Sequence, residues 1–422
     1  MTKILKLHAR EILDSRGRPT VLAKCQLDRG CGEASVPSGA STGSAEAMEL
    51  HDGDEKRYRG LGCRKAVANI NGEMTNALRG LSFSDQADFD ARLIALDGTT
   101  NKSRLGANAI LAVSIAFARA VSNGRRLTLW EYFAELANAT PRALPRLTIN
   151  LFSGGKHAGE QVPVQDVLMV PLCSSTTDET LSIAYDVFHS AAELTHRRYG
   201  MRLLRADEGG LAPPFREVEE MLEAAVEAIS AAGFVPGKEV ALAIDVAASH
   251  FYKDGSYALG DENLSSEQMI QRLERWVTAY PIISVEDGLA EDDWECWPSL
   301  LNILGSHALV VGDDLLCTQP ARIQRAIDSH SANALLLKVN QVGTLTEAAR
   351  ALGLARAANW TIVLSVRSGE TEDNWAADLA VGWCADQFKN GSITQSERLS
   401  KLNRFLEIEE ITGFHVAPWS TR

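Results

Sequence analysis

Six short apolar segments in the second half of the chain alternate with amphipathic stretches. They are EVALAIDVAAS, YPIISVEDG, HALVVGDDL, NALLLKVNQ, WTIVLSVRSG and ADQFKNG, and each precedes a stretch of helical periodicity. Apolar strands that alternate with helices in this way predict βα units and a parallel sheet. The insertion FYKDGSYALGDENL lengthens the first unit and has the turn residues of a hairpin.

The first part of the chain has a different pattern. The segments KILKLHAREILDS and PTVLAKCQL alternate as strands do and flank the turn-forming SRGR, which predicts a hairpin. The loop VPSGASTGSAE follows, and LGANAILAVSIAFARAVSNG predicts a long apolar helix that ends at Asn123 and Gly124. We therefore predict two domains, an α+β domain over residues 1–125 and a βα domain over residues 140–422.

A charged residue stands at the end of each of the six predicted strands. These residues are Asp245, Glu286, Asp313, Lys338, Arg367 and Lys389. In a (β/α)₈ barrel the carboxyl ends of all strands meet at one face, and that face carries the active site. An open doubly wound sheet is the alternative, but its site lies at one switch point and does not need charged residues on six strands. The predicted fold class is therefore α/β, with a (β/α)₈ barrel.

The three acids of this set predict a metal site. Asp245, Glu286 and Asp313 end consecutive strands, so their carboxylates should converge. Three carboxylates at one place cannot all stay ionised without a cation, and oxygen ligands suit Mg²⁺. The alternative is that each carboxylate only caps the helix that follows it.

The two lysines predict a base. Lys338 and Lys389 end later strands and should point into the same mouth. A desolvated lysine near a metal has a lowered pKa and can remove a proton from carbon. A salt-bridge role for either lysine is the alternative.

Two loops supply further candidates. The segment RADEGGLAPPF has the glycines and prolines of a loop and carries Glu208. In SGGKHAGEQVPVQDVLMVP, two glycines make room for His157, and Gln165 and Asp166 interrupt a strand-like run. Because polar residues in a buried strand need partners, we predict that these two face the same cavity.

The end of the segment WTIVLSVRSG predicts an anion site. Arg367 offers a planar guanidinium, and the turn at Ser368 and Gly369 frees backbone N–H groups that can bind an oxyanion. The residue beside them, Val366, has no polar atom in its side chain.

Composition narrows the class of ligand. A net charge of −13 argues against nucleic acid or an anionic membrane as a partner, so an anionic substrate must meet local positive groups or a metal. Seven scattered cysteines without a CxxC pair argue against a disulfide framework or a zinc site. The N-terminus lacks the apolar core of a signal peptide, and no run approaches the ~20 apolar residues of a membrane span, so we expect a cytoplasmic protein.

Motifs along nearly the whole chain resemble the enolase (phosphopyruvate hydratase) family. They are ILDSRGRPTV, VPSGASTG, LGANAILAVS, DEGGLAP, YPIISVEDGLAEDDW, VGDDL, LLLKVNQVGTLTE and RSGETEDNWAADLAVG. The resemblance implies an N-terminal α+β domain that caps an eight-stranded barrel with one antiparallel strand. It also implies a homodimer and two Mg²⁺ ions per active site.

The resemblance also assigns roles. The three strand-end carboxylates would hold the first metal, and Ser41 would help to hold the second. Lys338 would remove the proton beside the substrate carboxylate, while Lys389 and the metals would stabilise the enediolate, as is known for this superfamily. Glu208, together with the acid at position 166, would assist departure of the hydroxyl group.

The remaining roles concern substrate contacts. By the same resemblance, Arg367 and Ser368 would bind the phosphate, and His157 and Gln165 would contact the substrate. Phosphate, metal and proton-abstraction groups are therefore all retained.

Two residues depart from the family pattern on the side where hydroxide leaves. Val366 stands where the pattern has a histidine, and Asp166 stands where it has a glutamate. Further departures are Ser153, Ala206, His250 and Gln395, in place of an asparagine, a glycine, an acid and an arginine. An acid–base partner contributes roughly 10²–10⁴-fold to a rate, so the elimination step should suffer most.

Three functions remain open. The first is a diverged relative that works in phosphonate biosynthesis, with a small phosphorylated or phosphonate substrate and a second substrate activated as a nucleotide ester. The second is an ordinary enolase that dehydrates 2-phosphoglycerate. The third is an inactive homologue with a binding role, against which the retained lysines and carboxylates argue.

Overall fold

The computed structural model describes residues 1–40, 42–200 and 204–419. Its strands are β1 (Thr2–Leu13), β2 (Pro19–Leu27), β3 (Cys31–Ser35), β4 (Ser82–Phe83), β5 (Arg146–Ser153), β6 (Asp166–Pro171), β7 (Val240–Asp245), β8 (Tyr252–Lys253), β9 (Ser256–Leu259), β10 (Glu262–Leu264), β11 (Ile282–Glu286), β12 (Leu309–Gly312), β13 (Ala334–Leu337), β14 (Thr361–Ser365) and β15 (Gln387–Lys389). Its α-helices are α1 (Arg64–Asn69), α2 (Thr75–Leu78), α3 (Gln86–Asp97), α4 (Ala107–Arg125), α5 (Leu129–Leu136), α6 (Thr177–Tyr199), α7 (Val218–Ala231), α8 (Ser266–Ala279), α9 (Trp297–Leu304), α10 (Pro320–Asp328), α11 (Leu345–Ala357), α12 (Trp375–Gly382) and α13 (Ser396–Thr412).

The N-terminal region is an antiparallel sheet covered by helices. The strands lie in the order β3, β2, β1, β4, and β1 pairs with β2 across the predicted hairpin. At the turn, the Asp14 carboxylate accepts hydrogen bonds from the backbone N–H groups of Arg16 and Arg18. Helix α4 packs on β2 and β3, so most of its 19 residues are buried. It ends at Arg125, one residue beyond the predicted end.

Eight strands close into a barrel in the order β11, β12, β13, β14, β15, β5, β6, β7. Strand β6 is antiparallel to both of its neighbours, and the other pairs are parallel. The barrel and the N-terminal α+β region confirm the predicted fold class. The insertion after β7 forms the small sheet β8–β9–β10. The predicted domain bounds, 1–125 and 140–422, stay predictions.

Strand β6 begins later than the sequence pattern suggests. The run VPVQDVLMV was expected to be one strand, but the strand begins at Asp166. A side chain on Gly154 would lie 2.5 Å from the carbonyl oxygen of Val164, so the preceding turn folds tightly on itself. Gln165 therefore precedes the strand, and its backbone N–H donates to the carbonyl of Asp245 at 3.0 Å.

The N-terminal region reaches over the carboxyl ends of the barrel strands. Ser38 and Gly369 exchange backbone hydrogen bonds of 2.8 and 2.9 Å, and Arg119 forms an ion pair of 2.7 Å with Asp373. The loop before residue 41 is thereby held next to the segment after β14 that contains Arg367. None of the helices in the described part of the chain is long and apolar enough to cross a membrane.

The contact between β3 and α4 gives a stability prediction. A Cβ atom on Gly32 would lie 2.3 Å from the carbonyl oxygen of Ala116, which is rigid helix backbone. We expect Gly32→Ala to lower the free energy of unfolding by about 2 kcal/mol or more, measured by thermal denaturation. Gly72→Ala is the matched control, because nothing lies within 4 Å of that position. An equal effect of the two substitutions would contradict this packing.

Candidate active site

The five strand-end acids and lysines are all buried at the predicted face of the barrel. Asp245, Glu286 and Lys389 are the last residues of β7, β11 and β15. Asp313 and Lys338 directly follow β12 and β13. Each of the five has 9% or less of its surface exposed. The fold thus brings them to one end of the barrel, as the sequence predicted.

Lysine ammonium groups contact all three carboxylates. Lys389 Nζ donates to Asp245 Oδ2 at 2.7 Å and to Glu286 Oε2 at 2.6 Å. Lys338 Nζ donates to Asp313 Oδ2. Among the described residues, two other sets of three side chains have ligand atoms within 4.8 Å of one another: His157 with Asp166 and Glu208, and Asp287 with Asp313 and Asp314. Lys389 therefore joins two of the predicted ligands, and the third, Asp313, pairs with Lys338.

Charge and burial shift the pKa values of these groups strongly. Burial raises the pKa of Glu286 well above its usual value, and the negative charge of Asp245 adds to this. Burial alone would also raise the pKa of Asp245, but the adjacent Lys389 lowers it to about 2. Burial alone would lower the pKa of Lys338, but the carboxylate of Asp313 raises it. The carboxylate charge outweighs the burial of Lys338 here, and the lowered pKa expected for a lysine beside a bound metal stays a prediction.

The donor set nevertheless fits a hard divalent cation. Glu286 Oε1 is buried and has no hydrogen-bond partner, and the other donors of the three carboxylates are also oxygens. An unpaired buried carboxylate oxygen is costly, and a metal ion would satisfy it. These acidic groups could therefore hold Mg²⁺. Ser41, the predicted ligand of a second ion, lies outside the described residues.

A second group of polar side chains lies on β5 and β6, in the turn between them and in the loop after α6. We call it the departure-side cluster (Asn150, Ser153, His157, Asp166 and Glu208). Ser153 Oγ donates to Asp166 Oδ1 at 2.6 Å, and His157 Nδ1 lies 2.9 Å from Asp166 Oδ2. Asn150 Nδ2 donates to Glu208 Oε2 at 3.2 Å. His157 Nε2 lies 3.9 Å from Glu208 Oε1.

Three groups of this cluster titrate, and burial raises the pKa of one of them, Asp166. Burial alone would lower the pKa of His157, but the carboxylates of Asp166 and Glu208 raise it to about 9. Burial alone would raise the pKa of Glu208, but the positive charges of His157 and Arg398 lower it.

Gln165 contacts a carboxylate of the barrel face. Its side-chain Nε2 donates to Asp245 Oδ2 at 3.1 Å, and its Oε1 atom is buried without a hydrogen-bond partner. Gln165 thereby connects the start of β6 with the end of β7. Val366 is 5% exposed and belongs to the main apolar core.

The predicted anion site contacts the N-terminal region. Arg367 binds the carboxylate of Glu46 with both terminal nitrogens, at 3.0 and 3.1 Å. Ser368 Oγ accepts hydrogen bonds from Arg16 Nη1 at 3.2 Å and from the backbone N–H of Ala40 at 2.7 Å. An anionic ligand at Arg367 would therefore have to replace the carboxylate of Glu46.

Sequence reasoning missed three residues of this face. Glu46 lies in the small-residue loop before α1, where an acid among glycines and serines was the only signal. Gln341 donates to Asp313 Oδ1 at 2.9 Å, and Asn340 accepts from Arg367 at 2.9 Å. Both follow Lys338 in a short helical turn, so their nearness to it in the chain could have indicated them.

Buried lysines and carboxylates at the carboxyl ends of barrel strands are typical of barrel enzymes that carry out acid–base chemistry. The chain matches two known domain families. Residues 4–133 match the enolase N-terminal domain, and residues 141–419 match the enolase C-terminal TIM barrel domain. The chain belongs to the enolase family and is an enolase-type enzyme.

Proposed function

We propose that the protein is a Mg²⁺-dependent enzyme that acts on a phosphoglycerate or enolpyruvate-type substrate, with altered chemistry where ordinary enolases release hydroxide. The departure-side cluster is the observation that carries this proposal. Both oxygens of Asp166 are engaged by Ser153 and His157, and Val366 offers no polar atom. The groups for metal, phosphate and proton abstraction are retained.

The metal and base roles follow from the barrel face. Asp245, Glu286 and Asp313 would hold the first Mg²⁺, and Ser41 would help to hold the second. When bound, the ions would supply positive charge against the carboxylate of the substrate. Lys338 is the proposed base, because its buried amine lies at the cation site and points into the barrel mouth. A bound cation would neutralise negative charge on the carboxylates. That charge otherwise keeps Lys338 protonated.

The remaining proposed roles concern the substrate. Arg367 and Ser368 would bind its phosphate. The phosphate would displace the carboxylate of Glu46 from Arg367. Lys389 would face the carboxylate of the substrate from β15, and Gln165 would contact the substrate from β6. The family resemblance supports a cytoplasmic homodimer.

Carboxyphosphonoenolpyruvate synthase, an enolase relative of phosphonate biosynthesis, is the particular activity that we propose. It joins a phosphonoformyl unit, delivered as a nucleotide-activated ester, to a three-carbon phosphoglycerate or enolpyruvate acceptor. Val366 and Asp166 are smaller than the histidine and glutamate of the family pattern. They would leave room for a phosphonate group, whereas histidine and glutamate would fill that space. The enzyme would bind no nucleic acid and no membrane.

The activity can be tested by ³¹P NMR. The protein would be incubated with Mg²⁺, 2-phosphoglycerate and phosphonoformate activated as a nucleotide ester. We expect a product that carries both a phosphonate and a phosphate-ester signal, together with free nucleotide. Conversion of 2-phosphoglycerate to phosphoenolpyruvate alone, with the activated phosphonoformate unchanged, would contradict this activity and favour an ordinary enolase.

The metal role gives a separate prediction. Asp245→Asn and Asp313→Asn should each remove most Mg²⁺ binding, because each takes one negative charge from a site of three carboxylates. Isothermal calorimetry would measure the affinity, and EDTA should abolish activity. Asp186→Asn on α6 is the control, since that residue is exposed and distant in the chain from the barrel face. Unchanged Mg²⁺ affinity in both variants would rule out this metal site.

A further inference from the structure

The turn SRGR between β1 and β2 lies against the predicted anion site. Its second residue, Arg16, donates to Ser368, which lies 352 residues further along the chain. A Cβ atom on Gly369 would lie 2.2 Å from Arg16 Nη2 and 2.2 Å from Asp14 Oδ2. The turn therefore packs directly on the backbone of the anion site, with room for glycine only.

The guanidinium of Arg16 is held in one orientation. Its Nε and Nη2 atoms donate to Asp14 Oδ2 at 3.2 and 3.0 Å, and Nη2 also donates to the carbonyl of Ser38 at 2.8 Å. The Arg16 side chain is 6% exposed, and the side chain of Asp14 has no exposed surface. Because Asp14 balances its charge, Arg16 supplies Ser368 with a directed hydrogen bond more than with a free positive charge.

The hydroxyl group of Ser368 uses both of its acceptor positions. It accepts from Arg16 Nη1 at 3.2 Å and from the backbone N–H of Ala40 at 2.7 Å. A serine hydroxyl has two acceptor lone pairs and one O–H group. The O–H group of Ser368 is therefore directed away from Arg16 and Ala40, and it has no acceptor within residues 1–40, 42–200 and 204–419.

This unused O–H group is buried, since Ser368 is 2% exposed. The carbonyl of the same residue is satisfied, because Arg398 Nη2 donates to it at 2.9 Å and Ser15 Oγ at 3.3 Å. A buried donor without an acceptor is costly, so the O–H group indicates a ligand that brings an acceptor oxygen. An oxyanion is the best match, because its charge strengthens the hydrogen bond.

We propose that Arg16 is a positioning residue of the anion site, which together with the N–H of Ala40 makes Ser368 a hydrogen-bond donor only. The inference deepens the proposed function and rests on it for the phosphate role of Ser368. It gives the N-terminal hairpin a task at the barrel face. Ser368 then selects a ligand oxygen that carries no proton, as in an ionised phosphate or phosphonate group, because a P–OH group would present a second donor.

The first test uses inorganic phosphate and does not depend on the substrate. Isothermal calorimetry on the whole protein with Mg²⁺ would give the phosphate affinity. We expect Ser368→Ala and Arg16→Met each to weaken it by about tenfold, the effect of one hydrogen bond to a charged group. The double variant should be no weaker than Ser368→Ala alone, because Arg16 acts through that hydroxyl. Additive effects, or no phosphate binding by the wild type, would overturn the proposal.

Two further variants separate the hydrogen bond from the charge. Arg18→Met is the matched control, since it removes an exposed arginine from the same turn, where the backbone N–H of Arg18 makes the contact with Asp14. It should leave the phosphate affinity unchanged. Arg16→Lys keeps the charge but loses the planar fork, so it should weaken phosphate binding almost as much as Arg16→Met. Wild-type affinity in Arg16→Lys would overturn the proposal.

A crystal structure of the wild type with Mg²⁺ and phosphate keeps the proposal testable if the Arg16 variants do not fold. We expect a phosphate oxygen within hydrogen-bond distance of Ser368 Oγ, on the side away from Arg16, while the contacts from Arg16 and Ala40 remain. A Ser368 hydroxyl that leaves Arg16 when phosphate binds would overturn the proposal, as would a phosphate that does not contact Ser368.

The same variants with 2-phosphoglycerate separate this inference from the proposed function. Ser368→Ala and Arg16→Met should both weaken its affinity, while the saturating rate of proton exchange at its carbon changes little, because a phosphate contact stabilises ground state and transition state alike. A loss with Ser368→Ala but none with Arg16→Met would overturn the inference and leave the proposed phosphate contact intact. A wild type that binds phosphate with the expected coupling, but not 2-phosphoglycerate, would contradict the proposed substrate and support the inference.

Discussion

Lys338→Ala is expected to lose turnover by several orders of magnitude and to stop exchange of the carbon-bound proton with solvent. The amine of Lys338 is buried at the cation site, 25 residues along the chain from the Asp313 carboxylate that it contacts. Removal of a general base costs roughly 10²–10⁴-fold. Deuterium exchange into bound 2-phosphoglycerate, followed by mass spectrometry, measures the step directly.

The controls for this prediction address folding and position. Circular dichroism and Mg²⁺ calorimetry should show that Lys338→Ala still folds and binds metal. Lys156→Ala removes an exposed lysine next to His157 and should leave exchange unchanged. Exchange that persists in Lys338→Ala would move the base role to Lys389, the other lysine of the barrel face.

Val366→His combined with Asp166→Glu is expected to raise dehydration of 2-phosphoglycerate by about 10²-fold or more. The histidine would return a proton partner to the departure side, and the glutamate would reach past the hydrogen bond that now holds Asp166 to Ser153. The same double change should impair any reaction that uses the vacated space. Steady-state formation of phosphoenolpyruvate is the measurement.

A double-mutant cycle tests whether the two positions act on one step. Because both groups would stabilise the same transition state, their effects on the rate should be non-additive. Val363→Ile is a suitable control, since it enlarges a buried apolar residue of β14, the strand just before Val366, without adding a polar atom. A double variant no faster than the wild type would show that the departure side does not limit dehydration.

The barrel could be predicted because each of its strands has a recognisable local sequence pattern. Each is a short apolar run that ends in a polar residue. Asp245, Glu286 and Lys389 close three of these runs, so they lie at the carboxyl ends of the strands, which form the active-site face of a barrel. The start of β6 could not be predicted in the same way. The valines before Asp166 have the composition of a strand, but the close approach of Gly154 to Val164 turns the chain there.

Local sequence patterns could not predict which side chains pair with each other across the fold. Arg367 was predicted to bind an anion, and its partner in the structure is Glu46, 321 residues away in the chain. The pairing of Lys389 with two carboxylates is a second example, because it depends on distances that no sequence spacing contains. The Ser153–Asp166 hydrogen bond is similar, since only the register of β5 and β6 shows that the two departures are one feature.

The central claim is that this enzyme keeps the binding and proton-abstraction groups of an enolase but not its means of releasing hydroxide. One sample of wild-type protein with Mg²⁺ and 2-phosphoglycerate in D₂O tests it most directly, with exchange at the carbon and phosphoenolpyruvate followed together. We expect 2-phosphoglycerate to bind and to exchange its proton, while phosphoenolpyruvate forms about 10²-fold more slowly than the exchange occurs. Phosphoenolpyruvate formation as fast as exchange, at a turnover typical of a metabolic enzyme, would contradict the account and leave Val366 as a tolerated substitution in an ordinary enolase.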